Sequence, residues 1–269
     1  MAARSEKINT PGACRSISDT GELLRTVPST GMSFNPAFES AVSTPRFDRF
    51  RAVARDDEHA WELYRWNIEL TSSFAPLAAD LEVALRNTIH HQLTDLFGSE
   101  MWWANSSLLL DDITAEMLTQ VVQKYRKKLD RGSVGAGKVI SELSLGTWVR
   151  ILSKGGHSAL GRSIDYDRRL WRPALRQGFA TGELNEQGEP RRPTRKEVHA
   201  RAERFQKLRN RCAHHEPIIE GLKEPGTGAM LALDDVWNGS VELLKWISPE
   251  LAQLHSASPA FLEILARRP

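Results

Sequence analysis

Residues 61–98 read WELYRWNIELTSSFAPLAADLEVALRNTIHHQLTDLFG. Trp61, Tyr64, Ile68, Thr71, Ala75, Ala78, Leu81, Leu85, Ile89, Leu93 and Leu96 recur at spacings of three or four. That is the signature of one long amphipathic helical stripe. Pro76 interrupts it, because a proline inside a helix removes a hydrogen bond and crowds the preceding turn. The helix therefore kinks there, or restarts with Ser72 or Ser73 as N-cap and Pro76 in its first turn. Gly98 ends it. No segment elsewhere alternates convincingly at the period of a strand, so the expected fold class is all-α.

Upstream, residues 1–43 are rich in Ser, Thr, Gly and Pro and poor in large apolar residues. Such a segment buries too little surface to offset its chain entropy, which predicts a disordered or extended tail. Residues 44–269 are then read as a single helical domain, entered through a short helix over 46–55. Downstream, Trp102 and Trp103 sit in a loop and are expected to pack against helix ends. Asp112 or Thr114 is expected to cap a helix reaching about Leu129, whose end, 124–128, is basic as suits a helix C-terminus. Residues 131–138 read as a loop without phosphate-loop spacing. Short helices are expected over 139–152. Another is expected over 165–179, basic on one side through Arg168, Arg169, Arg172 and Arg176. Residues 182–193 are a polar connector. Thr194 and Glu197 form a capping box directly after Pro193, and the helix it launches buries Val198, Ala202, Phe205, Leu208 and Cys212. Pro217 stops that helix. Further helices are expected near 234–246 and after the Ser-Pro pairs 248–249 and 258–259.

Hydrophobic content is 41% and charged content 26%, values of an ordinary globular protein. The net charge of +2 does not announce a nucleic-acid binder. Its distribution does more. Residues 191–211 hold nine Lys or Arg against Glu197 and Glu203, whereas 216–235 hold five acids and one lysine. The basic density thus lies on the helix after the capping box. Of the two cysteines, Cys14 lies in the tail, so a structural disulfide is not expected and a reducing cytoplasm fits. No apolar run approaches the ~20 residues of a membrane span, and no signal-like segment opens the chain.

That basic helix ends Phe205-Gln-Lys-Leu-Arg-Asn-Arg-Cys-Ala-His-His-Glu-Pro217. At about 100° per residue, Arg209 falls in the apolar arc with Phe205, Val198 and Ala202. A charge there needs a partner or an interface. Asn210 and His214 stack four apart. His214 and His215 stand at the helix C-terminus, where the dipole favours the imidazolium and where a near-neutral titration suits acid–base work. The segment has an echo: Leu85-Arg86-Asn87 repeats Leu208-Arg209-Asn210, His90-His91 follows as His214-His215 does, and Glu82 precedes Arg86 by four. Two helices thus each carry an arginine and an asparagine beside an apolar stripe. Other readings stand beside this one. Polar residues near a helix end are common as structure. Cys212, His214 and His215 with His90 or His91 could supply a zinc site, although spaced cysteine pairs are absent. No nucleophile elbow and no evident recognition helix occur.

The segment 208–218 with its Arg209-Asn210-x-x-x-His214 spacing, together with Leu81–Ile89, Trp61–Leu70 and Leu143–Val149 in that order, resembles the Abi-like (abortive infection) branch of the HEPN superfamily. The resemblance covers roughly 45–250. It implies an HEPN-like helical bundle with additional helices. It implies a metal-independent endoribonuclease acting in antiphage abortive infection or as a toxin, without cofactor or metal. It implies a composite active site formed where two motifs meet in a homodimer, with RNA as the partner and room for a protein or RNA antitoxin. Arg209, Asn210 and His214 carry over as catalytic residues. Glu82, Arg86, Asn87 and His215 are supporting candidates, and either histidine fits the motif. Arg204, Lys207 and Arg211 are candidate RNA contacts. The competing expectation is a non-catalytic helical regulator that binds RNA or protein.

Overall fold

The computed structural model describes residues 34–269 except 185, 186, 189, 190, 225 and 258. Most of the segment read as tail, 1–33, lies outside the described residues. The rest of it is helical: α1, Pro36–Val42, leads into α2, Thr44–Arg51. The expectation of a tail through residue 43 is corrected over 34–43. The few large apolar residues there are well placed. Phe34 stacks on Phe47 at 5.3 Å and Phe38 on Trp61 at 4.8 Å. The Arg51 guanidinium lies 4.8 Å from the Phe47 ring centre and bonds Glu39 at 2.7 Å.

The long stripe is two helices, α3 over Asp57–Ser73 and α4 over Ala75–Phe97. Pro76 sits in the first turn of α4, as the restart reading expects. The expected caps, Ser72 or Ser73, are corrected: Phe74 occupies that position without a side-chain cap. Phe74 is fully buried beside Phe205, Trp237 and Phe261, at 6.0, 6.1 and 5.8 Å between ring centres. Apolar burial, not capping, fixes this reversal. Gly98 closes α4 in the left-handed conformation.

Next come α5, Asp112–Asp130, α6, Ala136–Glu142, and α7, Leu145–Ile151. The loop expected over 131–138 ends early, since α6 begins at Ala136. Asp111, not Asp112 or Thr114, caps α5. Two small antiparallel hairpins also correct the strand-free reading: β1, Gly155–His157, with β2, Ser163–Asp165, and later β3, Leu222–Lys223, with β4, Met230–Leu231. Strands of two or three residues are too short for alternation to register. The helix expected over 165–179 is corrected too. It is a π-helical turn, Asp167–Trp171, and a 3-10 turn, Leu175–Gly178. Pro173 lies between them and has no N–H to continue a ladder.

The last helices are α8, Arg195–Ala213, α9, Leu233–Ile247, α10, Pro249–Ala257, and α11, Ala260–Ala266. The fold is all-α apart from the hairpins. α8 packs against α9, α7, α4 and α3, and one hydrophobic cluster runs from Phe47 to Ile264. Among the described residues, no helix is long and apolar enough to cross a membrane.

One polar knot lies inside. The Asp111 carboxylate accepts from Tyr166 Oη at 2.6 Å, Thr114 Oγ1 at 2.6 Å and Arg150 Nη2 at 2.7 Å. Burial works to raise its pKa, but these three hydrogen bonds outweigh it and hold the value at about 2. A depressed carboxylate stabilises the fold above its unfolded pKa near 4, and that stabilisation disappears as pH falls towards 2. Asp111→Asn should therefore lose roughly 2 kcal/mol at neutral pH and much less at pH ~2. Thermal melts across that range check this, and an equal loss at both ends would contradict it.

Candidate active site

The capping box that starts α8 is present, with Thr194 Oγ1 accepting from the Glu197 N–H at 3.2 Å and Glu197 Oε2 accepting from the Thr194 N–H at 2.7 Å. Val198, Ala202, Phe205 and Leu208 are fully buried. Arg209 follows Leu208 and leaves the helix at the edge of that buried face. Its Nε and Nη2 donate to Glu82 Oε2 at 3.1 and 3.0 Å. Its Nη1 lies 3.5 Å from Asn210 Oδ1. The two side chains keep 36% and 26% of their surface, so the pair is half-buried and open on one side. Glu82 belongs to α4, beside buried Leu81. The two motif-bearing helices therefore meet through a charged contact spanning 127 residues of sequence.

The structure brings together Glu82, Arg209 and Asn210. Arg86 and Asn87 lie on α4 beyond Glu82, half-buried and exposed respectively, and their side chains make no hydrogen bond or ion pair among the described residues. At the far end of α8, His214 is the C-cap and its N–H donates to the Asn210 carbonyl at 2.9 Å. The His214 carbonyl accepts from Arg46 Nη2 at 3.4 Å. His215 donates to the Cys212 carbonyl at 3.0 Å, and Glu216 to the Arg211 carbonyl at 2.9 Å. These are the two bonds of a Schellman turn, whose left-handed position is ordinarily glycine. Here His215 holds it, at φ 53°. Both imidazoles are exposed and without a polar partner among the described residues.

The segment after the turn is tied down. Ile218 donates its N–H at 2.8 Å to Oδ1 of Asn67 on α3, which is 3% exposed. Arg211 bonds the carbonyls of Pro217 and Gly221, the latter at 3.3 Å, and Glu216 at 3.3 Å. Lys207 Nζ donates to the Lys223 carbonyl at 2.6 Å, and Arg204 pairs with Glu224. The three candidate RNA contacts, spaced as one helix face, thus hold the 216–224 segment against α8. Sequence reasoning missed Asn67. The signal was present, since it is a polar residue in the apolar rhythm of Leu63, Leu70 and Phe74. Gly146 of α7 shows the same closeness behind the motif, where an added Cβ would lie 3.1 Å from Gln206 Nε2.

Cys212 packs against the core, and burial pushes its thiol up to about 12, unlike a metal-bound thiolate. His90 Nδ1 accepts from the Trp102 indole N–H at 3.1 Å. Among the described residues, no three His, Cys, Asp or Glu converge as metal ligands would. Chemically, the arrangement offers a fixed guanidinium with unused N–H donors, an adjacent amide, and two open imidazoles at a helix end.

The sequence model of the family described as Abi-like protein matches residues 33–220, which takes in α1–α8, the pair and both histidines. No curated protein and no solved structure matches the chain.

If His215 served only the turn, glycine would serve it better. His215→Gly should raise stability by up to about 1 kcal/mol, because a left-handed residue with a Cβ is strained. Denaturant titration measures this, and a destabilised variant would show that the imidazole contributes contacts of its own.

Proposed function

This chain belongs to the Abi-like protein family, and we propose that it is a metal-independent endoribonuclease of the HEPN type, acting in abortive infection or as a toxin. The observation that carries the reading is the Arg209–Glu82 pair. It fixes a guanidinium at the junction of the two motif helices, leaves its outer N–H groups open, and sets Asn210 beside it. A half-exposed arginine so aimed suits a phosphate oxygen.

In the proposed reaction one histidine removes the proton from a ribose 2′-hydroxyl. That oxygen attacks the adjacent phosphorus, and the P–O5′ bond breaks. A second group returns a proton to the leaving 5′-oxygen, giving a 2′,3′-cyclic phosphate and a free 5′-hydroxyl. Arg209 stabilises the charge that grows on the phosphorane oxygens, the kind of fixed electrostatics on which phosphoryl transfer depends. His214 or His215 serves as base or acid. Asn210 orients a phosphate oxygen or the guanidinium. Because the substrate supplies its own nucleophile, the scheme requires no metal-activated water. Arg209 and His214 lie about 140° apart around α8, so a second motif across a homodimer is the natural complement. The second reading is a non-catalytic RNA- or protein-binding regulator, and the commitment of Arg204, Lys207 and Arg211 to the chain itself favours its protein-binding form.

Incubation with total RNA in EDTA separates them. Wild type should release fragments with cyclic-phosphate ends, and His214→Ala should slow cleavage by about 100-fold or more while RNA retention on a filter changes little. Retention without cleavage would favour the regulator. Full activity in His214→Ala, or activity that requires added metal, would overturn the assignment.

A further inference from the structure

The stretch 154–178 contains six Lys or Arg (Lys154, Arg162, Arg168, Arg169, Arg172, Arg176) and only two acids, Asp165 and Asp167. Its excess of positive charge exceeds the net charge of the whole chain. The acids are largely committed. Asp165 Oδ1 accepts the backbone N–H groups of Asp167 and Arg168 at 2.9 and 3.3 Å, and Asp167 pairs with Arg172 at 2.6 Å and Arg195 at 3.8 Å. In contrast, the side chains of Lys154, Arg162, Arg168, Arg169 and Arg176 are exposed and make no hydrogen bond or ion pair among the described residues. Elsewhere arginines are mostly engaged: Arg51, Arg150, Arg191, Arg195, Arg201, Arg204, Arg209 and Arg211 all face carboxylates.

The surface under these cations is rigid. The π-helical turn is closed by an i+5 bond from the Arg172 N–H to the Asp167 carbonyl at 2.9 Å, a rare geometry that is frequent at functional sites. Leu170 and Trp171 anchor it in the core, and Trp171 stacks on Phe179 at 5.6 Å. Tyr166 Oη holds it to Asp111. At the end of the 3-10 turn that follows, Gly178 is pressed onto α4, where a Cβ would lie 2.3 Å from Thr88 Cγ2 and 3.3 Å from Gln92 Cγ. Thr88 is six residues from Glu82, about 9 Å along the helix axis. The basic turn is thus braced directly on the helix that holds Arg209.

We propose that the π-helical turn and the 3-10 turn after it, through Arg168, Arg169 and Arg176, form a second RNA-binding surface that takes the phosphate backbone of a single strand crossing α4 towards the Arg209 site. This deepens the endoribonuclease reading and rests on it for the direction of the strand. The substrate class it implies is an extended RNA, held on phosphates away from the scissile bond, with sequence-tolerant affinity and steep salt dependence. It also relocates the electrostatic footprint. Arg204, Lys207 and Arg211 of α8 bind the hairpin segment that follows, whereas Arg168, Arg169 and Arg176 are exposed and carry no partner among the described residues.

The test uses the full chain and a fluorescein-labelled 2′-O-methyl RNA of about 20 nucleotides, longer than a single compact site. This probe lacks the 2′-hydroxyl nucleophile and stays intact whether or not the protein is a nuclease. Fluorescence anisotropy in EDTA is recorded from low to moderate salt for wild type, for the triple variant Arg168→Ala, Arg169→Ala, Arg176→Ala, and for a control triple of equal charge at the end of α5, Arg126→Ala, Lys127→Ala, Arg131→Ala. The patch triple should bind at least about tenfold more weakly and its log–log salt slope should fall by about 2, since each lost single-strand phosphate contact removes roughly 0.7. The control should stay within about twofold on the same electrostatic argument. Unchanged affinity and slope in the patch triple would overturn the proposal, as would an equal loss in both triples. Parallel assay of unmodified RNA keeps the two readings apart. Cleavage by wild type with unaltered binding in the patch triple removes the second surface alone. Absence of cleavage with weakened binding in the patch triple removes the nuclease and leaves the surface.

Discussion

Arg209 leaves α8 one residue after a side chain with no exposed surface, Leu208. A guanidinium at that depth needs a carboxylate, and α4 supplies one at 3.0 Å. The pair adds little stability by itself, because with about a third of the arginine exposed it is screened by solvent, and such pairs contribute ~0–1 kcal/mol. Its consequence is orientation. The apolar burial of Phe205 and Leu208 against α9, α7 and α4 holds the helices, and the carboxylate fixes where the charge points. The candidate site depends on this order of effects, with packing setting the helix and charge setting the side chain.

The basic density of α8 divides between two roles that a charge count cannot separate. Arg204, Lys207 and Arg211 bind carbonyls and acids of the following segment. Asn67 of α3 accepts the Ile218 N–H. Together they set the exit of the turn that presents His214 and His215. A loop that emerges from a helix end with two exposed histidines would otherwise fray, since the last helical carbonyls lack partners. The Schellman bonds satisfy two of those carbonyls, and Arg46 satisfies that of His214.

Much of this was legible in the residues. The three-and-four rhythm gave α3 and α4, with the break at Pro76. Thr194 and Glu197 gave the start of α8, and Pro217 its limit. Arg209 in the apolar arc demanded a partner, and the echo at Leu85-Arg86-Asn87 pointed to the helix that provides it. Three kinds of feature were not legible. Short elements such as the hairpins carry too few residues for a period. Local geometry was decided by tertiary contacts: Asp111 won the α5 cap over Asp112 because Tyr166 and Arg150 also need its carboxylate. Two aromatic residues, Phe34 and Phe38, were enough to dock a segment whose average composition reads as disordered, because Phe47 and Trp61 offer flat partners.

The same geometry divides the chemistry within one chain. The guanidinium faces α4, and the imidazoles stand at the end of α8, about 140° away around the helix for His214. Local rearrangement is opposed by the contacts at both ends. The guanidinium is held by its carboxylate, and the turn is held by Asn67, Arg211 and two backbone bonds. A phosphodiester that meets both must therefore span from one motif to another, or approach along a path that reaches around α8. The first route makes each proposed catalytic centre the joint property of two copies, with the cation of one and the proton carrier of the other. The second makes the strand's course over α4 decisive. On the proposed reading, recognition of RNA in either case extends beyond the scissile phosphate, because Arg209 and His214 lie on different sides of α8.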